Sequence, residues 1–270
     1  MHIPIKALAA LFITIVLTAQ AAAQTQADYI PKKIVWKKAC NGVDRLDFKS
    51  NTVPVSYHAV KIDLTSGIRL VTYPDVSDFP EISAAGYLPV KTKTFAKKNK
   101  CIVAFNATPF IQKDKKNVYL AGVHKKDGIL FSKPNGKYAA LAFTKDMTAS
   151  VISIQTAENC SLYEHVFGGF YCILENGVEK EFKKDTTDSR CSAGVSKDGK
   201  TLYILVAEGE SPGRSRGLSF SQCARILKTF GCHSALEFDG GGSAQLCLKG
   251  RSVLSYTQLR SQANSIGFTF

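Results

Sequence analysis

The segment Leu202–Phe238 constrains this chain more than any other, because it spells strand, loop, helix, loop and strand with its boundaries marked. Leu202–Val206 is a short, continuously apolar run of strand length. Ser219 and Gln222 then form an S-x-x-Q capping box, in which the hydroxyl caps one backbone amide and the glutamine reaches back to another. Phe220, Cys223, Ala224, Leu227 and Phe230 fall on one helical face. Gly231 follows the last of them, where a left-handed cap is easiest for glycine. Ala235–Phe238 resumes as a strand, so the whole segment reads as a βαβ-like unit.

Elsewhere strands dominate. Alternation in Tyr57–Leu64 places His58, Val60, Ile62 and Leu64 on one face of a half-buried strand. Cys101–Phe105 is apolar throughout and reads as a strand buried on both faces. Gly128–Phe131, Ala139–Phe143, Val151–Ile154 and Ala244–Leu248 are further strands, and Ile266–Phe270 is expected to close a sheet edge. A short helix is predicted within Lys91–Lys100, around Phe95 and Ala96. No repeat or Pro/Gly/Ser-rich linker divides the chain. The class is therefore α+β: one domain with a mixed β-sheet and few helices, whose C-terminal βαβ-like unit ends in the loop Asp239–Ser243.

Residues 1–23 read as an export signal: Lys6, the apolar run Ala7–Thr18, and small residues offering A-x-A cleavage sites. That run is too short to span a bilayer. The expectation is a secreted or periplasmic protein with an N-terminal extension over 24–56 and the functional domain over 57–270. About 245 residues remain after cleavage, enough for a proper core. Eight cysteines suit an oxidising compartment and predict disulfides. A Cys223–Cys232 bridge is disfavoured, since a helix would separate the two by roughly 10 Å and a disulfide needs about 7 Å or less. The formal charge is +13, yet the lysines come as scattered pairs, so charge alone selects no partner. Basic and aromatic residues do not interleave in any nucleic-acid motif.

The chemistry concentrates in Glu237–Ser243, EFDGGGS. Three glycines after a strand let a ligand approach the backbone and can aim amides at an anion. No Gly-Lys-Ser/Thr follows and no G-x-G-x-x-G occurs, which excludes a Walker loop and a dinucleotide fingerprint. The histidines show no metal-ligand spacing, and no metal or cofactor is required.

The order of TLYILVAEGE, SRGLSFSQCARILKTFG and ALEFDGGGS resembles the C-terminal signature of the phosphodiester glycosidase family. Upstream, SRCSAGV resembles the family's Arg-Thr-Ala-x-Gly strand, with Arg190 in the arginine position. VAFNATPF resembles its Asn-containing strand end, with Asn106 the matching residue, and VFGGFYCILENG a glycine-pair strand. Glu237 stands where the family usually has Asn, and Cys191 where it has Thr.

The resemblance implies an exported hydrolase that cleaves a sugar's anomeric bond to a phosphodiester, on an envelope or surface glycan. Asp239, with Glu208 second, is the candidate nucleophile or base. Arg190 would hold phosphate oxygens in a bidentate fork, and the amides of Gly240, Gly241 and Gly242 would form an oxyanion cradle beside Ser243. Asn106 would hold a sugar hydroxyl, and Arg216 matches an arginine of some members. The alternative is a non-catalytic phosphosugar- or polysaccharide-binding protein that keeps the pocket.

Overall fold

The computed structural model describes residues 28–75, 86–112, 114, 117–211, 213–257 and 259–270. The segment read as an export signal lies outside them. Three antiparallel sheets make up most of the molecule. The main sheet orders its strands β1 (Lys37–Cys40), β2 (Val43–Lys49), β3 (Ser56–Asp63), β16 (Thr201–Glu208), β15 (Arg190–Val195), β17 (Ser234–Glu237), β13 (Cys172–Glu175) and β14 (Val178–Glu179). A second sheet runs β11 (Ala149–Ile152), β10 (Ala140–Phe143), β12 (His165–Gly168), β8 (His124–Lys126) and β9 (Ile129–Ser132). The third runs β19 (Arg251–Ser252), β18 (Leu246–Leu248), β5 (Val103–Asn106), β20 (Ser265–Thr269) and β4 (Arg69–Tyr73). A small hairpin pairs β6 (Phe110–Gln112) with β7 (Val118–Leu120). The helices are α1 (Thr92–Lys98), α2 (Ala157–Ser161) and α3 (Phe220–Phe230).

The βαβ-like unit is present with one strand interposed. β16 and β17 each pair antiparallel with β15, so they run parallel to one another on either side of it, connected by α3. Helix α3 carries both halves of the capping box, and Gly231 closes it at φ 102°. Its apolar face (Cys223, Ala224, Leu227 and Phe230) covers one face of the main sheet, against Tyr57, Ala59, Leu205 and Ala235. The opposite face (Val60, Ile62, Ala193, Ile204, Val206 and Phe238) packs onto Phe105, Phe143, Phe167 and Phe268 of the other two sheets. The main sheet is thus the middle layer of the fold.

That layering corrects two expectations. Tyr57, Ala59, Val60 and Ile62 are all fully buried, so β3 is covered on both faces rather than one. β20 lies inside the third sheet, bonded to β5 and β4, and does not form an edge. Within 24–56, β1 and β2 extend the main sheet beyond β3. The predicted disulfides are not seen in the structure, where all eight cysteines are free thiols. Cys191 lies against the Asn106 carbonyl, its Sγ 3.4 Å away. Cys232 fills the space where a Gly194 side chain would stand, and Cys101 and Cys247 pack in the cluster around Phe95.

The cap of α3 is also tied to the exposed loop that leads into β15, because Ser219 Oγ donates to Asp185 Oδ2 at 2.8 Å. Ser219→Ala should cost about 1 kcal/mol. That corresponds to a fall of about 2–4 °C in melting temperature for a domain of this size, measurable by calorimetry.

Candidate functional site

The strand β17 runs out at Glu237, and the chain then crosses from the main sheet to the third. The crossing is held at defined points. Asp239 N–H donates to the Ala107 carbonyl at 2.9 Å, and Gly241 N–H to the Ser189 carbonyl at 2.8 Å. Asn106 Nδ2 donates to the Asp239 carbonyl at 2.7 Å, while its Oδ1 accepts the Gln245 N–H at 2.8 Å. Glycine is required here by contact: a Cβ at Gly240 would sit 2.7 Å from the Ser189 carbonyl oxygen, and Gly241 adopts φ +54°. A Cβ at Gly242 would meet nothing within 4 Å, so the loop is open on that side.

Asp239 is half-buried at the mouth of this loop. Burial pushes its carboxyl up to about 6, against the opposing pull of the Ser243 hydroxyl and the Arg260 charge. Arg260 Nη1 lies 3.4 Å from Ser243 Oγ, and the guanidinium stands 5.5 Å over the Phe110 ring. A second carboxylate, the exposed Asp188, faces the same loop, its Oδ2 3.7 Å from where a Gly241 Cβ would be. The amide of Gly241 is consumed by Ser189, so the three-amide cradle reduces to the amides of Gly240 and Gly242.

The other expected residues are placed differently. Arg190 leaves the helix-facing side of β15, stacked 4.2 Å over Phe220, with Nε donating to the Leu218 carbonyl and Nη2 to that of Thr186. Its fork is spent on backbone, and only Nη1 points toward Gly240. Glu208 leaves the opposite face of the same sheet, since Val206 two residues earlier belongs to the other core. The structure therefore separates Glu208 from Arg190. Asn106 is fully buried, and both ends of its amide hold backbone rather than facing solvent. Arg216 is exposed.

Glu208 is the buried end of a relay that runs out to the exposed Asp47. Its Oε1 is 2.9 Å from His58 Nε2, and His58 Nδ1 is 2.6 Å from Asp47 Oδ1. Ser255 donates its backbone amide to Glu208 Oε1 at 2.8 Å and its hydroxyl to Oε2. Burial would raise the Glu208 carboxyl, but the His58 and Ser255 bonds outweigh it and hold it low. Burial likewise pulls His58 down, yet its two carboxylate partners keep it raised. The relay thereby holds Ser255, five residues before Arg260 in the sequence. No periodicity marks Arg260 or Asp188 in the sequence, because each lies in irregular chain; alternation places His58 on a strand face, but its carboxylate partners come from other strands. Among the described residues, no three His, Cys, Asp or Glu side chains gather to hold a metal ion.

Residues 99–269 match the family model for phosphodiester glycosidase. No curated protein matches the chain. Among solved structures, a hypothetical protein from Synechocystis aligns with TM-score 0.69 at 14% identity, over 88% of this chain and 64% of that one. This chain thus spans under two thirds of that relative. The zebrafish N-acetylglucosamine-1-phosphodiester alpha-N-acetylglucosaminidase catalytic domain, auto-inhibited by its pro-peptide, aligns with TM-score 0.64 at 18% identity, over 89% of this chain and 85% of that one. A Burkholderia pseudomallei protein described as exported aligns with TM-score 0.58 at 12% identity, over 79% and 74%. At these identities the structures establish a shared fold.

Glu237 lies beneath the site on the α3 side, fully buried, with Ser192 Oγ donating to its Oε1 at 2.6 Å. Burial lifts its carboxyl to about 7, against the pull of Ser192, Arg190 and Cys223. A raised carboxyl binds its proton more tightly folded than unfolded, so its contribution is full below about pH 4.5 and fades as pH rises to about 7. Glu237→Gln should remove that slope and stabilise the protein above pH 7, by up to about 3 kcal/mol. Denaturant unfolding at pH 5 and pH 8 measures it.

Proposed function

Because the chain belongs to the phosphodiester glycosidase family, we propose that it is an exported hydrolase cleaving the bond between a sugar's anomeric carbon and a phosphodiester, on an envelope or surface glycan. The observation that carries this reading is the setting of Asp239. It is a half-buried carboxyl with its proton affinity raised, beside Ser243 and Arg260, on a loop whose glycines leave room for a ligand. A glycosyl phosphodiester needs a carboxylate at the anomeric carbon and positive charge at the departing phosphate. Asp239 supplies the first. Arg260 supplies the second, together with the amides of Gly240 and Gly242 and the Nη1 edge of Arg190.

Asp239 acts as nucleophile or as base for water, and Asp188 is the partner carboxyl on the open side of the loop. Glu208 and Asn106 are positioning residues: one holds Ser255, ahead of Arg260 in the sequence, and the other the glycine loop. The bond broken is C1–O. The phosphate monoester departs with both its bridging oxygens, and water gives its oxygen to the sugar. The reading as a binding protein without catalysis rested on Glu237 and Cys191. Both side chains are fully buried, Glu237 toward α3 and Cys191 in the opposite core, so neither replaces a group at the mouth of the loop.

The test is a panel of anomeric phosphodiesters with product mass as readout. Asp239→Asn should lower kcat by about three orders of magnitude or more with the fold intact; an equally active variant would remove Asp239 from the chemistry. In the wild type, kcat/KM should rise as pH climbs through about 6, because Asp239 acts when ionised. Arg260→Gln should move that limb to higher pH, since the cation favouring the carboxylate is lost. An unmoved limb would separate Arg260 from Asp239.

A further inference from the structure

Lysines scattered along the sequence converge on one flank of the fold. A cavity of about 670 Å³ opens where β1 and β2 meet the β18–β19 hairpin, lined by Lys37, Lys38, Arg45, Lys249 and Arg251. Lys249 also lines a second cavity of about 350 Å³, which adds Lys97 and Lys100. Lys100 in turn lines a third, about 560 Å³, together with Arg69. The shared lining residues place the three side by side as one basic track, and among the described residues no Asp or Glu lines any of them.

Some of these cations have local partners. Arg45 Nε is 2.7 Å from Asp47 Oδ2, Lys249 Nζ donates to the Ala39 carbonyl at 2.9 Å, and Arg69 Nε donates to the Phe270 carbonyl at 3.1 Å. Among the described residues, no salt bridge engages Lys37, Lys38, Lys97, Lys100 or Arg251. A surface built only for solubility intersperses both signs. A one-sign track concentrates potential and draws in an anion. Its length across three cavities fits charges repeating along a chain better than one small anion. Among the described residues Phe270 is the one aromatic residue lining it, so no row of stacking platforms such as single-stranded nucleic acid uses is seen there.

We infer that this track binds an extended polymer with recurring phosphates, of the polyol-phosphate or sugar-phosphate kind, and presents it to the loop at Asp239. The second half of that statement rests on the proposed function; the first does not. The geometry is compatible with both. Ile102 lines the second and third cavities, and Asn106, at the other end of β5, holds the Asp239 loop. Four residues of strand separate the two by roughly 13 Å, a span that a few polymer repeats cover.

The experiment titrates the mature protein with end-labelled poly(glycerol phosphate) over a range of salt, beside a single-stranded DNA oligonucleotide. It also follows turnover of a small glycosyl phosphodiester. The variant Lys37→Gln/Lys38→Gln/Arg251→Gln removes three exposed cations outside the Asp239 site. It should weaken polymer binding about tenfold or more and flatten log Kd against log salt by about 2 units. Turnover of the small substrate should be unchanged. If the triple variant melts early, Lys97→Gln/Arg251→Gln provides the same readout. Unchanged polymer affinity and salt slope in a folded variant would overturn the track. DNA binding tighter than the polymer, and lost with the same cations, would reassign it to nucleic acid and overturn it equally. Polymer binding that behaves as expected, without turnover of any glycosyl phosphodiester, would support the track and contradict the reading of the Asp239 site.

Discussion

The buried side-chain amide of Asn106 joins the parts of this fold that chemistry needs together. Its nitrogen holds the carbonyl of Asp239 and its oxygen the amide of Gln245, so one residue grips both ends of the glycine loop. Around it, Asp239 N–H bonds to Ala107 and the Cys191 thiol to the Asn106 carbonyl. The end of β5 in the third sheet is thereby fixed to the ends of β15 and β17 in the main sheet. A buried amide deprived of such partners costs about 1–3 kcal/mol per group. That penalty makes the crossing one of fixed geometry, although its three glycines would otherwise leave it free.

Given that joint, the two faces of the main sheet divide the acidic groups among different environments. Glu208 faces the sheet-packed core and stays ionised within the relay of His58, Asp47 and Ser255. Glu237 faces helix α3, and burial favours its proton. Asp239 lies past the sheet's end, partly solvated, with Arg260 nearby and its carboxyl between those extremes. Environments that push carboxyl groups apart are how one site assigns different tasks to similar side chains. Here one carboxylate is held ionised by its partners, one is buried and favours its proton, and one carries a raised proton affinity at the sheet's end.

Much of the fold was legible in the chain itself. The capping box at Ser219 and Gln222, the glycine after Phe230 and the apolar strands around them define α3 and its neighbours locally, by hydrogen bonds within a few residues. Strand β3 was legible as a strand, but not its second buried face, because covering Tyr57 and Ala59 depends on a helix over 160 residues downstream. The place of β20 inside its sheet depends likewise on β4 and β5 arriving from the N-terminal half. At the site, Asp239 and its glycines were visible because they are consecutive. Arg260 and Asp188 were not, since only the folded crossing brings them to the loop. Arg190 was visible as an arginine, but the carbonyls of Leu218 and Thr186 that occupy its fork come from tertiary contact. The basic track was equally hidden: its lysines lie in separate pairs that meet only when β1 and β2 pack beside β18 and β19.

The central claim is that a carboxylate at the end of β17 acts on the sugar carbon, and not on phosphorus. Hydrolysis in water enriched in heavy oxygen tests it directly, with both products analysed by mass. The account predicts that the label enters the sugar's anomeric hydroxyl and that the released phosphate monoester carries none. Label in the phosphate, with an unlabelled sugar, would show cleavage at phosphorus and contradict the role given to Asp239.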